Sequence, residues 1–484
     1  MRKNLFSVVL LLLLSVNASA KDYLLTEYQT VDTTGQQMAS PAINALIDRC
    51  SSEGGGRVVV PQGRYLCGTI FMKSGVELHL QRGAQIIASP RNEDFPMQPR
   101  NHCRSQKDTE GWNALVYAAD CHDLGITGEG IIDGKGGDKH GYLKKGPYDG
   151  NGRPRNILFV SCKKVTIKGI TVKNSPVWNQ HYFNCEDVTI DRIHSWNHCN
   201  ANNDGIDIDG CRRVKITRCV VDSDDDGIVL KSTGLAPCED ILISHCTVST
   251  YANAIKCGTE TVGGFKRVKV KHCKVRPSSH TGKRILKTTP TGINALSLEM
   301  VDGGELANVE VDHLDIVGTE CAIFIRLANR GRNQIDGVDM PEARPGKLRN
   351  IKLKNIHAVG VGNFGSSITG IPGACVENVE LSHISIQSRG GLKKGNYRHA
   401  GDNHGKRHDA LGNNHPDEYW PTADEVVEGE KSYPQPTLWG NLPCYGLFVR
   451  HVRDIKLRDV KFTTEQPDPR PAMLFVDVNP VPQQ

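Results

Sequence analysis

VTIKGITV (165–172), VTIDRIHS (188–195), VKITRCVV (214–221), ILISHCTV (241–248) and VKVKHCKV (268–275) are one eight-residue pattern, repeated at steps of 23, 26, 27 and 27 residues. It returns as VEVDHLDI (309–316), IKLKNIHA (351–358), VELSHISI (379–386) and IKLRDVKF (455–462). Positions one and three are apolar, then usually six and eight. Alternation with one extra residue in the middle describes two short strands meeting at a bend. A helix would want apolar residues at three and four, then seven. β-Branched residues dominate the units, while Gly, Asn and Asp crowd between them, as strands and turns prefer. A period in the twenties predicts a solenoid in which each coil buries its inward side chains on the next. Leucine-rich repeats share that period but need Leu positions absent here, and propeller blades need longer periods. The expected fold is an all-β parallel β-helix.

Outward from these units, RVVVPQGRYLCGTIFMKSGVELHLQRGAQIIAS (57–89) reads as the first coils. An amphipathic helix near 39–52 would cap the N-terminal end and hide its strand edge. Later steps of 41, 42 and 76 residues imply loops inserted between strands. The largest insertion, about 387–440, is rich in Gly, Lys, His and Asn and reads as a long surface excursion. Loops of that length are functional or disordered, and the sequence leaves both open. The chain begins with Arg2 and Lys3, runs through an apolar stretch from Leu5 to Val16, and reaches Ala18-Ser19-Ala20. That is the layout of a secretory signal peptide over 1–20, leaving one β-helix domain over 21–484. The apolar run is shorter than the roughly 20 residues that span a bilayer. Export to the periplasm or medium is expected, with no membrane insertion.

Loss of Arg2 and Lys3 lowers the formal net charge from +5 to +3, too little to argue for nucleic acid. It is compatible with an anionic polymer as substrate. Sixteen Cys in an exported chain suggest disulfides. Cys219, Cys246 and Cys273, however, share one repeat position, where stacked, free, buried thiols are the expectation.

The chemistry lies in NNDGIDIDG (202–210) and SDDDGIVLKS (223–232). Asp204 and Asp225 are 21 residues apart, slightly less than one coil. A solenoid sets them on neighbouring strands, about 4.8 Å apart along the axis. Carboxylates crowded in this way cannot all ionise freely, so at least one pKa should rise. A glycosidase needs that pairing of a protonated acid with an ionised partner. Adjacent strand residues point to opposite faces, so Asp225 and Asp226 share a cleft only if the chain bends, which Gly227 permits. Asp207, Asp209, Asp222 and Asp224 read as a solvated acidic edge. A calcium site is the other reading of the Asp-x-Asp spacing.

These residues resemble glycoside hydrolase family 28, the polygalacturonase family, in its bacterial branch. The resemblance rests on ITGEGIIDGKG (126–136), NSPVWNQH (174–181), NNDGIDIDGC (202–211), DDDGIVLKS (224–232), NAIKCGTE (253–260) and FIRLANRGR (324–332). It implies a single-domain, right-handed, pectin-lyase-like β-helix and an inverting hydrolase that needs no cofactor and no metal. The family's Asn-x-Asp motif matches Asn202 to Asp204, and its paired Asp motif matches Asp225 and Asp226. By resemblance Asp225 is the general acid, while Asp204 and Asp226 position and activate water. The family's Gly-His-Gly falls on Ala252-Asn253-Ala254, so the histidine is missing. Its Arg-x-Lys falls on Phe324-Ile325-Arg326, leaving one cation. Asn202, Asn253, Lys256 and Arg326 are the candidate substrate-binding residues, Lys256 and Arg326 gripping a sugar acid. Trp178 reads as a sugar platform or as packing, and His181 as a turn residue.

The partner implied is a pectic polysaccharide or oligosaccharide met by a monomer. A β-helix lyase with calcium and a base, or a sugar-binding helix without turnover, remain alternatives.

Overall fold

Position one of every eight-residue unit falls in a single ladder. Val165 pairs with Val188, then Val214, Ile241, Val268, Val309, Ile351, Val379 and Ile455, each in parallel register with the next coil. The computed structural model describes residues 21–28, 30–99, 102–106, 112–137, 153–392 and 422–482. Over these residues the chain is a right-handed parallel β-helix, wound from Asp22–Leu24 to Met473–Asn479. The predicted leader, 1–20, lies outside the described residues, as does 393–421 of the insertion.

The extra residue in each unit is the bend. Gly169, Arg192, Arg218, His245, His272, His313, Asn355, His383 and Asp459 all adopt left-handed backbone, with φ between 51° and 80°. That conformation costs a residue with a Cβ about 1–2 kcal/mol, least for Asn, Asp and His, which fill most of the later coils. A second left-handed column stands just before the units and includes Asn308, Asn350 and Asn378. There the Asn350 and Asn378 amides each donate to the Asn one coil below, at 3.1 and 2.8 Å. Each left-handed residue turns the chain without disturbing the strands on either side.

Positions one and three point inward and stack as the core: Val214 and Ile216 lie under Ile241 and Ile243, all buried. Each such side chain contributes about 1.5–3 kcal/mol by leaving water. Twelve of the sixteen cysteines are buried, and the other four are partly exposed. All sixteen are free thiols, and Cys219, Cys246 and Cys273 stack with Sγ near the carbonyls of Ile190, Ile216 and Ile243 at 3.7–3.8 Å. At the N-terminal end the helix Ser40–Ser52 lays Ala42, Ile43, Leu46, Ile47 and Cys50 over the first coils. It covers the edge an open solenoid would leave.

Candidate active site

On one face the strands Gln180–Phe183, Ile206–Asp209, Ile228–Ser232 and Asn253–Thr261 follow one another in successive coils. Ile206 pairs with Ile228, so Asp204 and Asp226, each two residues earlier, hold the same address in adjacent coils. Backbone bonds extend that address into a column. The Asn179 N–H donates to Asp204 O at 3.0 Å, Gly205 N–H to Asp226 O at 2.8 Å, and Gly227 N–H to Asn253 O at 2.8 Å. Asn294 continues it one coil further. Asp204 therefore registers with Asp226, and Asp225 is offset by one residue.

Asp225 lies in a bend before the strand, so strand alternation does not separate it from Asp226. Its Oδ1 accepts the Asp226 N–H at 3.0 Å, and its carbonyl accepts the hydroxyls of Ser223 and Thr250. Gly227 serves this bend by close approach: a Cβ there would meet Val248 Cγ1 at 2.4 Å and Ala254 O at 2.7 Å. Asp204 and Asp226 are only 3% and 4% exposed, whereas Asp225 is partly open.

Two buried ammonium groups divide the cluster. Lys256 Nζ is 3.1 Å from Asp226 Oδ2 and 3.8 Å from Glu299 Oε1. Lys231 Nζ is 3.5 Å from Asp204, 3.6 Å from Asp207 and 3.7 Å from Glu260. Burial pulls both ammonium groups down, but the surrounding carboxylates outweigh it and hold them charged well above the lysine range. Asn253 adds a neutral contact, donating Nδ2–H to Asp226 Oδ1 at 2.5 Å while its Oδ1 accepts from Asn294 at 2.7 Å. It stands where the family resemblance puts a histidine.

Asp225 has no ion pair within the described residues. Burial and the Asp226 charge raise its pKa to about 6, against the more distant Lys256 and Lys231. Burial and the neighbouring Asp207 charge raise Asp204, with Lys231 opposing. Burial also raises Asp207 and Glu299, each to about 7, opposed by Lys231 and by Lys256 respectively. The cluster thus keeps protons near neutrality, as crowding predicted.

Asp207, Asp209, Asp222 and Asp224 are not a solvated edge; all four are buried. Asp209 accepts the Thr233 N–H at 2.9 Å and lies 3.1 Å from His181 Nε2, so His181 is a buried strand residue rather than a turn residue. Asp222 meets His198 at 2.9 Å and the Ser278 hydroxyl at 2.6 Å, while Asp224 accepts the backbone N–H of Ile285 and Leu286. The reason is long-range. The 276–291 loop folds against one side of the cluster, and Ser105–Gln106 bonds to Thr233 on the other. Trp178 is packing: 7% exposed, it lies 4.6 Å beneath the Lys231 ammonium. Asn202 sits at the edge in left-handed backbone, its Oδ1 accepting from Arg153 at 3.0 Å.

Arg326 stands two coils beyond Asn253, because Lys256 pairs with Ser297 and Ser297 with Phe324. It is 1% exposed. Its guanidinium donates to Thr369 Oγ1 at 3.2 Å, Gly370 O at 3.0 Å and Glu428 O, beneath the Trp439 ring. Its donors therefore hold the described end of the insertion, 422–440, against the coil face. There Trp439 packs on Phe324, and Tyr433 reaches back to Lys256 Nζ at 3.4 Å and Thr259 Oγ1 at 2.9 Å.

Sequence reasoning missed Lys231, Glu260, Glu299 and Tyr433. Lys231 and Glu299 had a signal, a charge within or ending an otherwise apolar strand, as in IVLKS and LSLEM, whereas Glu260 lies in the half-polar strand NAIKCGTET, where it does not stand out. Tyr433 had none, since a loop's return to the face cannot be read from its composition.

A β-helix bearing buried, proton-retaining carboxylates on one face is the scaffold of a glycosidase. The chain belongs to the glycosyl hydrolases family 28, which it matches over residues 50–393. A probable polygalacturonase of Vitis vinifera is 28% identical over 380 residues, 73% of each chain. Among solved structures, an exopolygalacturonase from Thermotoga maritima aligns with TM-score 0.62 and 24% identity, over 76% of this chain and 87% of that one. The Yersinia enterocolitica family 28 exopolygalacturonase aligns with TM-score 0.68 and 17% identity, over 95% and 77%.

Proposed function

We propose that this protein hydrolyses glycosidic bonds of galacturonate-containing pectic polysaccharide or oligosaccharide with inversion. Asp225 is the general acid, and Asp204 and Asp226 activate the attacking water. The family and its polygalacturonase relative support the reaction class. The division of roles rests on one observation: Asp226 faces the Lys256 ammonium at 3.1 Å and Asp225 faces no ammonium at ion-pair distance among the described residues, while Asp204, raised by burial and Asp207 despite Lys231, completes the pair around the water. A neighbouring cation favours the ionised form a base needs, and its lack lets Asp225 keep the proton an acid needs. Asp225 is also the partly open member, where a leaving oxygen can reach it.

Asn253 orients Asp226, and Asn202 lies at the rim. The protein works as an exported monomer in the periplasm or medium, its leader removed, as one catalytic domain without cofactor. Product analysis on pectic polymers and oligosaccharides tests the reading, with anomeric configuration followed by NMR. Inverted, saturated products support it. An unsaturated, ultraviolet-absorbing product means a lyase instead, and binding without new reducing ends means a non-catalytic helix.

A further inference from the structure

Trp178, Tyr251, Phe324 and Trp439 are buried, whereas the side chain of Tyr433 is 49% exposed. A single open Tyr is ordinary on a protein surface. This one is held by its hydroxyl at the floor of the site, accepting from Thr259 Oγ1 at 2.9 Å and from Lys256 Nζ at 3.4 Å. The same ammonium lies 5.5 Å from the centre of the Tyr433 ring and 3.1 Å from Asp226 Oδ2. One lysine thus joins an open aromatic ring to a carboxylate of the cluster.

The chain on either side of Tyr433 is tied down. The Asn329 N–H donates to Glu430 O at 3.1 Å, Arg326 to Glu428 O, and Trp439 Nε1–H to Val427 O at 2.9 Å. Pro434 and Pro436, just beyond, are buried. A Tyr side chain turns about only two χ angles, and its fixed backbone and held hydroxyl leave the ring little freedom. Little entropy remains to be lost when a ligand meets it.

We infer that Tyr433 is a sugar-stacking platform, its open side receiving a galacturonate ring next to the bond that is cut. The 422–440 end of the insertion is then part of the substrate-binding site. The inference rests on the glycosidase reading above and adds to it a residue that grips the substrate. A galacto-configured pyranose carries its axial O4 on one face, which leaves a patch of C–H bonds at C3, C4 and C5 on the other. The electron-rich face of an aromatic ring suits that patch.

Tyr433→Ala, Tyr433→Leu and Tyr433→Phe in the full chain test this. KM and kcat are measured on oligogalacturonides and rhamnogalacturonan oligosaccharides. Affinity for the same sugars is measured by calorimetry with each change added to Asp225→Asn. Tyr433→Ala should weaken binding and raise KM roughly tenfold. Tyr433→Leu, which fills space without a π face, should do the same, and Tyr433→Phe should keep most of the affinity. Unchanged affinity in Tyr433→Ala overturns the platform. So does Tyr433→Leu binding as well as Tyr433→Phe, which makes the role one of packing, or Tyr433→Phe losing as much as Tyr433→Ala, which makes it one of the hydroxyl. If the wild type binds these sugars without releasing reducing ends, the glycosidase reading falls, and the affinity series alone decides the platform. If neither the wild type nor Asp225→Asn binds or cleaves them, both fall.

Discussion

Asp225 shows what one missing contact does. Asp204 and Asp226, in the column beside it, each face a lysine, whereas the Asp225 carboxyl accepts only the Asp226 backbone N–H, at 3.0 Å, among the described residues. A general acid acts while protonated, so activity should fall as pH rises through about 6, the value to which burial and the Asp226 charge lift it. The kcat/KM–pH profile of the wild type measures this directly; a flat profile from pH 5 to 8 would remove Asp225 from the role. Asp225→Asn should lower kcat by about 10²–10⁴-fold with little change in Tm, because the carboxyl bears no ion pair among the described residues and lies outside the core. Coil spacing set Asp204 beside the Asp225–Asp226 pair of the next coil, but it was the family resemblance, not spacing, that singled these three out from the other aspartates. The lysines that divide their roles were not legible, because spacing gives an address without a direction.

At the scale of the element, the bend and the returning loop decide the geometry. Gly227→Ala places a Cβ 2.4 Å from Val248 Cγ1 and 2.7 Å from Ala254 O, so the strand start must shift. Activity should drop by about 100-fold, since angstrom-scale misplacement of a catalytic group is that costly, while the far-ultraviolet circular dichroism stays that of a β-helix. Trp439→Ala removes the packing on Phe324 and the Nε1–H bond to Val427 O at 2.9 Å. Faster proteolytic cutting near 422–440, together with lost activity, is expected; unchanged proteolysis would mean that the loop is held elsewhere. The repeat units declared themselves because burial on one face imposes periodicity. The insertion and the 276–291 loop are not periodic, and their partners lie far away in sequence, which is why Asp222 and Asp224 looked solvated.

For the whole molecule, the buried carboxyls tie stability to pH. Asp207 and Glu299 are raised to about 7 by burial, above the values an unfolded chain would show. An acid raised in the folded state stabilises it while protonated. That contribution is complete below the unfolded pKa and is lost as pH rises through 7. Tm should therefore decline between pH 5.5 and 8, and less so in Glu299→Gln; scanning calorimetry across that range checks both. A core ladder residue behaves differently: Ile243→Ala should cost about 2–5 kcal/mol at any pH, read from denaturant midpoints.

The fold's class followed from nine short segments because stacking makes each coil report on the next. The column Asn179, Asp204, Asp226, Asn253 and Asn294 carries a consequence for how such an enzyme changes over generations. Each member is supplied by a different coil, at one repeated backbone position, and none belongs to the apolar stack that keeps the helix folded. Reactivity can thus be rewritten one rung at a time, Asn253 being the rung where the family resemblance puts a histidine, without touching the apolar stack.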